Sequence, residues 1–146
     1  MEIKRLTSKL GVGPQIRGSD VERLAALGFR SIIGNRPDAE SADQPEFSAI
    51  AASARKAGLE VRHIPVISGA ITPSDINEFR DALRELPNPV FAFCRTGTRS
   101  TLLWALANPD AMTASDRIRI AAENGYDISA LGPRLSAAEN GAARDG

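Results

Sequence analysis

Residues 89–107, PVFAFCRTGTRSTLLWALA, constrain the fold more than any other stretch. They open on five apolar residues, Pro89 to Phe93, with no polar position to mark a solvent face. A strand of that composition must be covered on both sides. They close on STLLWALA (100–107), a helix pattern apolar nearly all round. Such a helix is expected at the centre of the molecule. A doubly covered strand feeding directly into a buried helix is the building unit of an α/β fold, so a mainly parallel sheet flanked by helices is expected.

The rest of the chain repeats the alternation. The first dozen residues read as one or two short strands. Ser19-Asp20 opens a helix, either residue being able to cap it, with Val21, Leu24, Ala25 and Leu27 at helical spacing and Gly28 at its end. Phe29 to Ile33 is a strand, and the polar 34–45 a loop. A helix over 45–57, a strand over 59–64 and a loop over 65–72 follow. Thr72-Pro73-Ser74-Asp75 starts another helix, whose buried stripe is Ile76, Phe79, Leu83 and Leu86. A last helix covers 113–124, closed by Gly125. One catalytic domain over 1–130 is expected, with a flexible tail over 131–146.

Cys94 follows the most buried strand, where α/β sheets bind ligands. The loop leads into a helix N-terminus, whose free amides and dipole favour an anion. Cys94, Arg99 and Ser100 are therefore the expected catalytic residues, and Arg95, Thr96, Gly97 and Thr98 the expected anion-binding loop. Gly97 permits a tight turn where a side chain would crowd the anion. Arg99 offers a planar fork of donors that suits a tetrahedral oxyanion. The helix end and neighbouring arginines favour thiolate over thiol, and Ser100 or Thr98 is placed to donate to the sulfur. Asn35, Arg36 and Asp38 follow another strand and are candidates for the same cleft; a structural clasp of Arg36 to Asp38, Glu40 or Asp43 is the alternative. His63 is read as a structural histidine in a strand.

Composition narrows the chemistry. Lys plus Arg equals Asp plus Glu, 18 against 18, so the overall charge predicts neither a nucleic acid nor a membrane as partner. One cysteine excludes an intramolecular disulfide, and one cysteine with one histidine cannot fill a structural zinc site. No metal or cofactor is called for. The N-terminal segment MEIKRLTSKLGVG lacks the apolar run of a signal peptide, so a cytoplasmic location is expected.

FCRTGTRS resembles the active loops of two families of thiolate enzyme. Tyrosine phosphatases carry Cys-x5-Arg, and single-domain rhodaneses, which transfer sulfur, often carry Cys-x-x-Gly-x-Arg-Ser. Cys94 and Arg99 are separated by four residues, matching the rhodanese length. The stretches NRPDAESADQP (35–45), RHIPVISGAITPSDINEF (62–79) and FAFCRTGTRSTLLWAL (91–106) resemble the bacterial beta-lactamase hydrolase-like family, phosphatase-like domain. That resemblance implies a cysteine tyrosine phosphatase-like fold. It leaves sulfur transfer and phosphate hydrolysis both open.

A cysteine phosphatase needs a general acid for its leaving alkoxide. In dual-specificity phosphatases an Asp follows a phrase like Ile-Pro-Val; the matching positions are Ile67 and Ser68, which cannot supply that proton. Asp38 is the substitute candidate, and Asp75 reads as a helix-start residue. Sulfur transfer needs no such acid. The expectation is thus a sulfurtransferase that forms a persulfide on Cys94 from a small anionic donor, thiosulfate or a persulfide, and passes it to a small-molecule thiol. A phosphatase acting on phosphate esters is the alternative. An inactive anion- or persulfide-sensing module is the third reading, disfavoured by the intact Cys, Gly, Arg and Ser.

Overall fold

The computed structural model describes residues 2–137. Its strands are β1 (Lys4–Arg5), β2 (Leu10–Gly13), β3 (Ser31–Gly34), β4 (Glu60–His63) and β5 (Val90–Phe93). Its helices are α1 (Val21–Ala26), α2 (Phe47–Lys56), α3 (Pro73–Glu85), α4 (Thr98–Ala107) and α5 (Ala114–Glu123). The five strands form one sheet in the order β1-β2-β5-β3-β4. Only the β1–β2 pair is antiparallel. The others are parallel, with Val90 level with both Leu10 and Ser31.

β5 is central and buried at every position, as its composition requires. Its side chains alternate between two cores. Val90 and Ala92 join Val12, Ile33, Phe79, Leu103 and Trp104 on one face. Phe91 and Phe93 join Leu24, Ile32, Ile50 and Leu59 on the other. The first core is covered by α3, α4 and α5, the second by α1 and α2. α4 buries Arg99, Ser100, Thr101, Leu103, Trp104, Ala105 and Ala107, nearly its whole circumference.

Local signals account for the helix ends. Thr72 Oγ1 accepts from Asp75 N at 3.1 Å while Asp75 Oδ2 accepts from Thr72 N at 2.9 Å, a reciprocal cap with Pro73 at the first helical position. Asp75 is thus spent on starting α3. Neither Ser19 nor Asp20 caps α1; Asp20 Oδ2 accepts instead from Arg17 N, closing a 3-10 turn at Gly18–Asp20. Residues 132–137, expected in the flexible tail, are helical, and Leu135 is buried in the core that α3, α4 and α5 cover. Residue 131 closes a short 3-10 turn at Ser129–Leu131. The remainder of that expected tail lies outside the described residues. Among the described residues no helix is long and apolar enough to cross a membrane.

The sheet order places β5 between β2 and β3, so the chain reverses its direction of winding around β5. Ligand sites in such sheets lie beyond the strand C-termini at the reversal.

Candidate active site

Four parallel strands end on the same side, and each contributes to one cleft. Gln15 and Arg17 follow β2; Arg36, Glu40 and Asp43 follow β3; Ile67 and Ser68 follow β4; Arg95 and Arg99 follow β5. The cleft has a volume of about 820 Å³. A smaller pocket of about 130 Å³ reaches Cys94 and shares Ser68, Arg95 and Arg99 with it. Thr96, Thr98, Gly69, Ile71 and Leu102 complete that pocket.

Cys94 is 1% exposed. Gly97 N donates to its Sγ at 3.1 Å. Gly97 has φ +98°, and a Cβ there would lie 2.2 Å from the Tyr126 hydroxyl. Glycine is thus required by backbone conformation and by the close approach of Tyr126. At the start of α4, Thr101 N and Thr101 Oγ1 both donate to Gly97 O, at 3.0 and 2.8 Å. Gly97 N is spent on Cys94 Sγ and Thr98 N reaches Thr96 Oγ1 at 3.4 Å; the first amides of the helix have no intrahelical acceptor and carry the positive end of its dipole.

Arg99 is held from the neighbouring strand ends. Nη1 and Nη2 donate to the two oxygens of Glu40, each at 3.0 Å, and Nη1 also donates to Val66 O at 2.8 Å. Nε is buried and has no partner among the described residues. It is the one guanidinium nitrogen that neither Glu40 nor Val66 engages, and an orphaned buried donor is costly. Glu40 also accepts from Arg36 Nε at 3.0 Å. Arg36 therefore forms the structural clasp and reaches Gln15 Oε1 at 3.3 Å while lining the cleft. The Arg99 hydrogen bond, aided by Arg36, holds the Glu40 carboxyl below the usual glutamate range despite partial burial. The Ser41 hydroxyl does the same for Asp43. Both cleft carboxylates are thus ionised at neutral pH.

Several expected roles change. Ser100 Oγ donates to Asn35 Oδ1 at 2.9 Å rather than to sulfur. Asn35 Nδ2 in turn donates to Ile64 O at 3.0 Å, and Asn35 is fully buried. Asn35 and Ser100 therefore tie α4 to β3 and β4 behind the cleft and do not line it. The Thr98 hydroxyl is engaged by Thr96 Oγ1 at 3.1 Å. Asp38 is not among the residues lining the cleft or the Cys94 pocket: its Oδ1 accepts from Phe47 N at 2.8 Å, capping α2. His63 stacks on Phe47 at 4.4 Å with Nε2 3.0 Å from Arg36 O, a structural placement. Among the described residues no group of three or more His, Cys, Asp or Glu is placed to hold a metal ion.

Gln15, Arg17 and Tyr126 are cleft or loop residues that sequence reasoning missed. The strand-end rule applied to β2 would have found the first two. Tyr126 follows α5 and lies 30 residues from its contact, Thr96 O, so no local pattern marks it.

Residues 2–111 match the family described as beta-lactamase hydrolase-like protein, phosphatase-like domain. Beta-lactamase hydrolase-like proteins of bacteria are similar in sequence. That of Xylella fastidiosa is 34% identical over 88% of this chain, and that of Agrobacterium fabrum 35% identical over 89%. The chain spans only 30% and 31% of their lengths. A crystal structure of a "putative phosphatase" from Neisseria meningitidis superposes with a TM-score of 0.83 and 37% identity, covering 94% of this chain and 99% of that one. PTPMT1 shares the fold at a TM-score of 0.74 and 14% identity, covering 99% of this chain and 100% of its own. The fold is thus that of the cysteine tyrosine phosphatases, and the family and its structural neighbours support a cysteine-phosphatase-like enzyme. The chain belongs to the beta-lactamase hydrolase-like family, as its phosphatase-like domain.

Proposed function

We propose that this chain is a sulfurtransferase that carries sulfur as a persulfide on Cys94. One observation carries the reading: the pocket over Cys94 offers two arginines and no carboxylate, while both carboxylates of the adjoining cleft are held ionised. An alkoxide leaving group would lack a proton donor there, whereas sulfite needs none. In the proposed step the thiolate attacks the outer sulfur of thiosulfate. A new S–S bond forms, the original S–S bond breaks, and its electron pair leaves with sulfite. Arg95, the free Nε–H of Arg99 and the first amides of α4 hold the sulfonate oxygens. With no second cysteine in the chain, the terminal sulfur passes to an outside small-molecule thiol or cyanide in the cytoplasm, regenerating the thiolate.

Phosphate-ester hydrolysis is the second reading. Four arginines, Arg17, Arg36, Arg95 and Arg99, line the cleft and favour a polyanion. The PTPMT1 fold relative has been crystallised with PI(5)P. The test is intact mass after incubation with thiosulfate or glutathione persulfide, run beside phosphotyrosine hydrolysis. Gain of one sulfur atom on Cys94 is expected. Brisk phosphotyrosine turnover with no sulfur gained from either donor would replace the first reading by the second.

A further inference from the structure

Two contacts at the Cys94 loop belong to a single peptide group. Gly97 N–H donates to Cys94 Sγ at 3.1 Å. The carbonyl of that same peptide, Thr96 O, accepts from the Tyr126 hydroxyl at 3.2 Å. A trans peptide is planar, and its N–H and C=O point in opposite directions. Whatever holds the oxygen therefore aims the hydrogen.

This peptide has an alternative orientation. Gly97, at φ +98° and ψ −13°, has the geometry of the second central residue of a type II turn. Rotating the Thr96–Gly97 peptide plane by half a turn converts type II to type I and swaps the two ends. Glycine presents little steric barrier to the exchange. The swapped state would turn a carbonyl oxygen toward the thiolate and remove its only backbone donor among the described contacts.

We infer that Tyr126 is a positioning residue for the nucleophile, its hydroxyl holding the Thr96–Gly97 peptide so that the Gly97 N–H faces Cys94 Sγ. Three further observations fit this role. The hydroxyl is pressed against the loop, 2.2 Å from where a Gly97 Cβ would stand. Tyr126 is anchored by its own backbone, its N donating to Ala121 O at 2.9 Å at the exit of α5, and by Ile128 two residues on, 2% exposed in the core. Burial, with the negative charges of Cys94 and Glu2, pushes the phenol up, so it remains a donor at neutral pH. Tyr126 also lies outside residues 2–111, the segment that matches the family.

The inference rests on Cys94 being the nucleophile but not on the choice between sulfur and phosphoryl transfer. Tyr126→Phe keeps the ring and deletes the hydroxyl. Iodoacetamide labelling of Cys94 in the full chain reads the sulfur without any substrate. Labelling of Tyr126→Phe at mildly acidic pH should be about three- to tenfold slower than that of the unaltered chain, the scale of one lost hydrogen bond. The two rates should converge at alkaline pH, where every thiol is ionised. In thiosulfate turnover kcat should fall with KM little changed, since Arg95 and Arg99 are untouched. Superimposable labelling profiles would overturn the inference. So would an equal slowing at every pH, which would report altered access instead of a lost aim. Failure of the unaltered chain to gain sulfur would count against the proposed reaction and leave the labelling comparison readable.

Discussion

The loops after β5 and β3 leave neighbouring strands in the same direction and meet over one cleft, yet they are built on opposite principles. The 94–100 loop is a local device. Its nucleophile, its turn glycine and the helix end beneath them are contiguous, and Gly97 N reaches Cys94 Sγ over three residues. The 35–45 loop is an assembly of long-range duties. Asn35 reaches Ser100 across 65 residues, and Glu40 reaches Arg99 across 59. Asp38 caps α2. In the proposed reaction the first loop supplies the reacting atom, and the second holds the first in place. Substitutions in the first should therefore strike activity before stability, and those in the second should do the reverse.

The largest effect expected is at Cys94. Cys94→Ser should abolish thiosulfate-dependent sulfur transfer while leaving thermal unfolding close to that of the unaltered chain, since the hydroxyl cannot form a persulfide. Residual persulfide on the protein by intact mass would move the nucleophile elsewhere. Arg99 comes next and sits on the boundary between the loops. Arg99→Ala should weaken turnover by about 1.5–3 kcal/mol, roughly tenfold to a hundredfold, as for other charge-assisted contacts. Arg99→Lys should recover only part, because an ammonium cannot serve Glu40 with two parallel donors and an anion with a third. Full recovery with lysine would reduce Arg99 to a point charge.

The same division explains what was legible in the sequence. β5, α4 and the Cys94 loop declare themselves by composition and spacing, because burial on both faces permits only apolar residues. The other strands and helices follow from periodicity, with ends shifted by a residue or two. The Arg36–Glu40 clasp was among the pairings expected, but the roles of Ser100 and Asp38 and the Glu40–Arg99 contact do not follow, since these side chains find partners set by tertiary geometry. Ser100 was a reasonable donor to sulfur from its place in the loop; its position on α4 turns it toward Asn35 instead. The tight turn expected at Gly97 is present, and the close approach of Tyr126 adds a second need for glycine that no local pattern marks. Leu135 lies in a stretch rich in Ala and Gly, and one buried leucine is too sparse a signal to overturn a tail reading.

Glu40 offers a sharper test of the holding role. Its carboxyl is pulled below the ordinary value chiefly by the Arg99 hydrogen bond, and its side chain is 27% exposed. A carboxylate depressed on folding stabilises the native state above its unfolded value and loses that contribution as pH falls through the folded one. Glu40→Gln should thus be less stable than the unaltered chain at neutral pH, by roughly 1–2 kcal/mol, between the values for exposed and buried pairs. The gap should shrink as pH drops below 4.5, the unperturbed value, and nearly close at strongly acidic pH. Urea denaturation of both chains across that range measures it. A gap independent of pH would mean that the charge on Glu40 does not matter to the clasp.

The smallest effect separates the two loops most cleanly, because it concerns the one carboxylate that a phosphatase mechanism would recruit. Asp38 Oδ1 accepts from Phe47 N, the first amide of α2, which has no acceptor within the helix. Asparagine carries the same acceptor oxygen and caps as well. Asp38→Asn should therefore leave both turnover and stability close to the unaltered values. Asp38→Ala removes the acceptor and should cost about 1 kcal/mol of stability, with turnover at temperatures well below unfolding unchanged. A general acid would behave differently: asparagine cannot give up a proton, so turnover of poor leaving groups would collapse in Asp38→Asn even though the helix stays capped. Steady-state rates with thiosulfate and with phosphotyrosine, beside melting curves of both variants, distinguish the two. Loss of activity in a fully stable Asp38→Asn would carry the 35–45 loop over from holding the site to performing its chemistry.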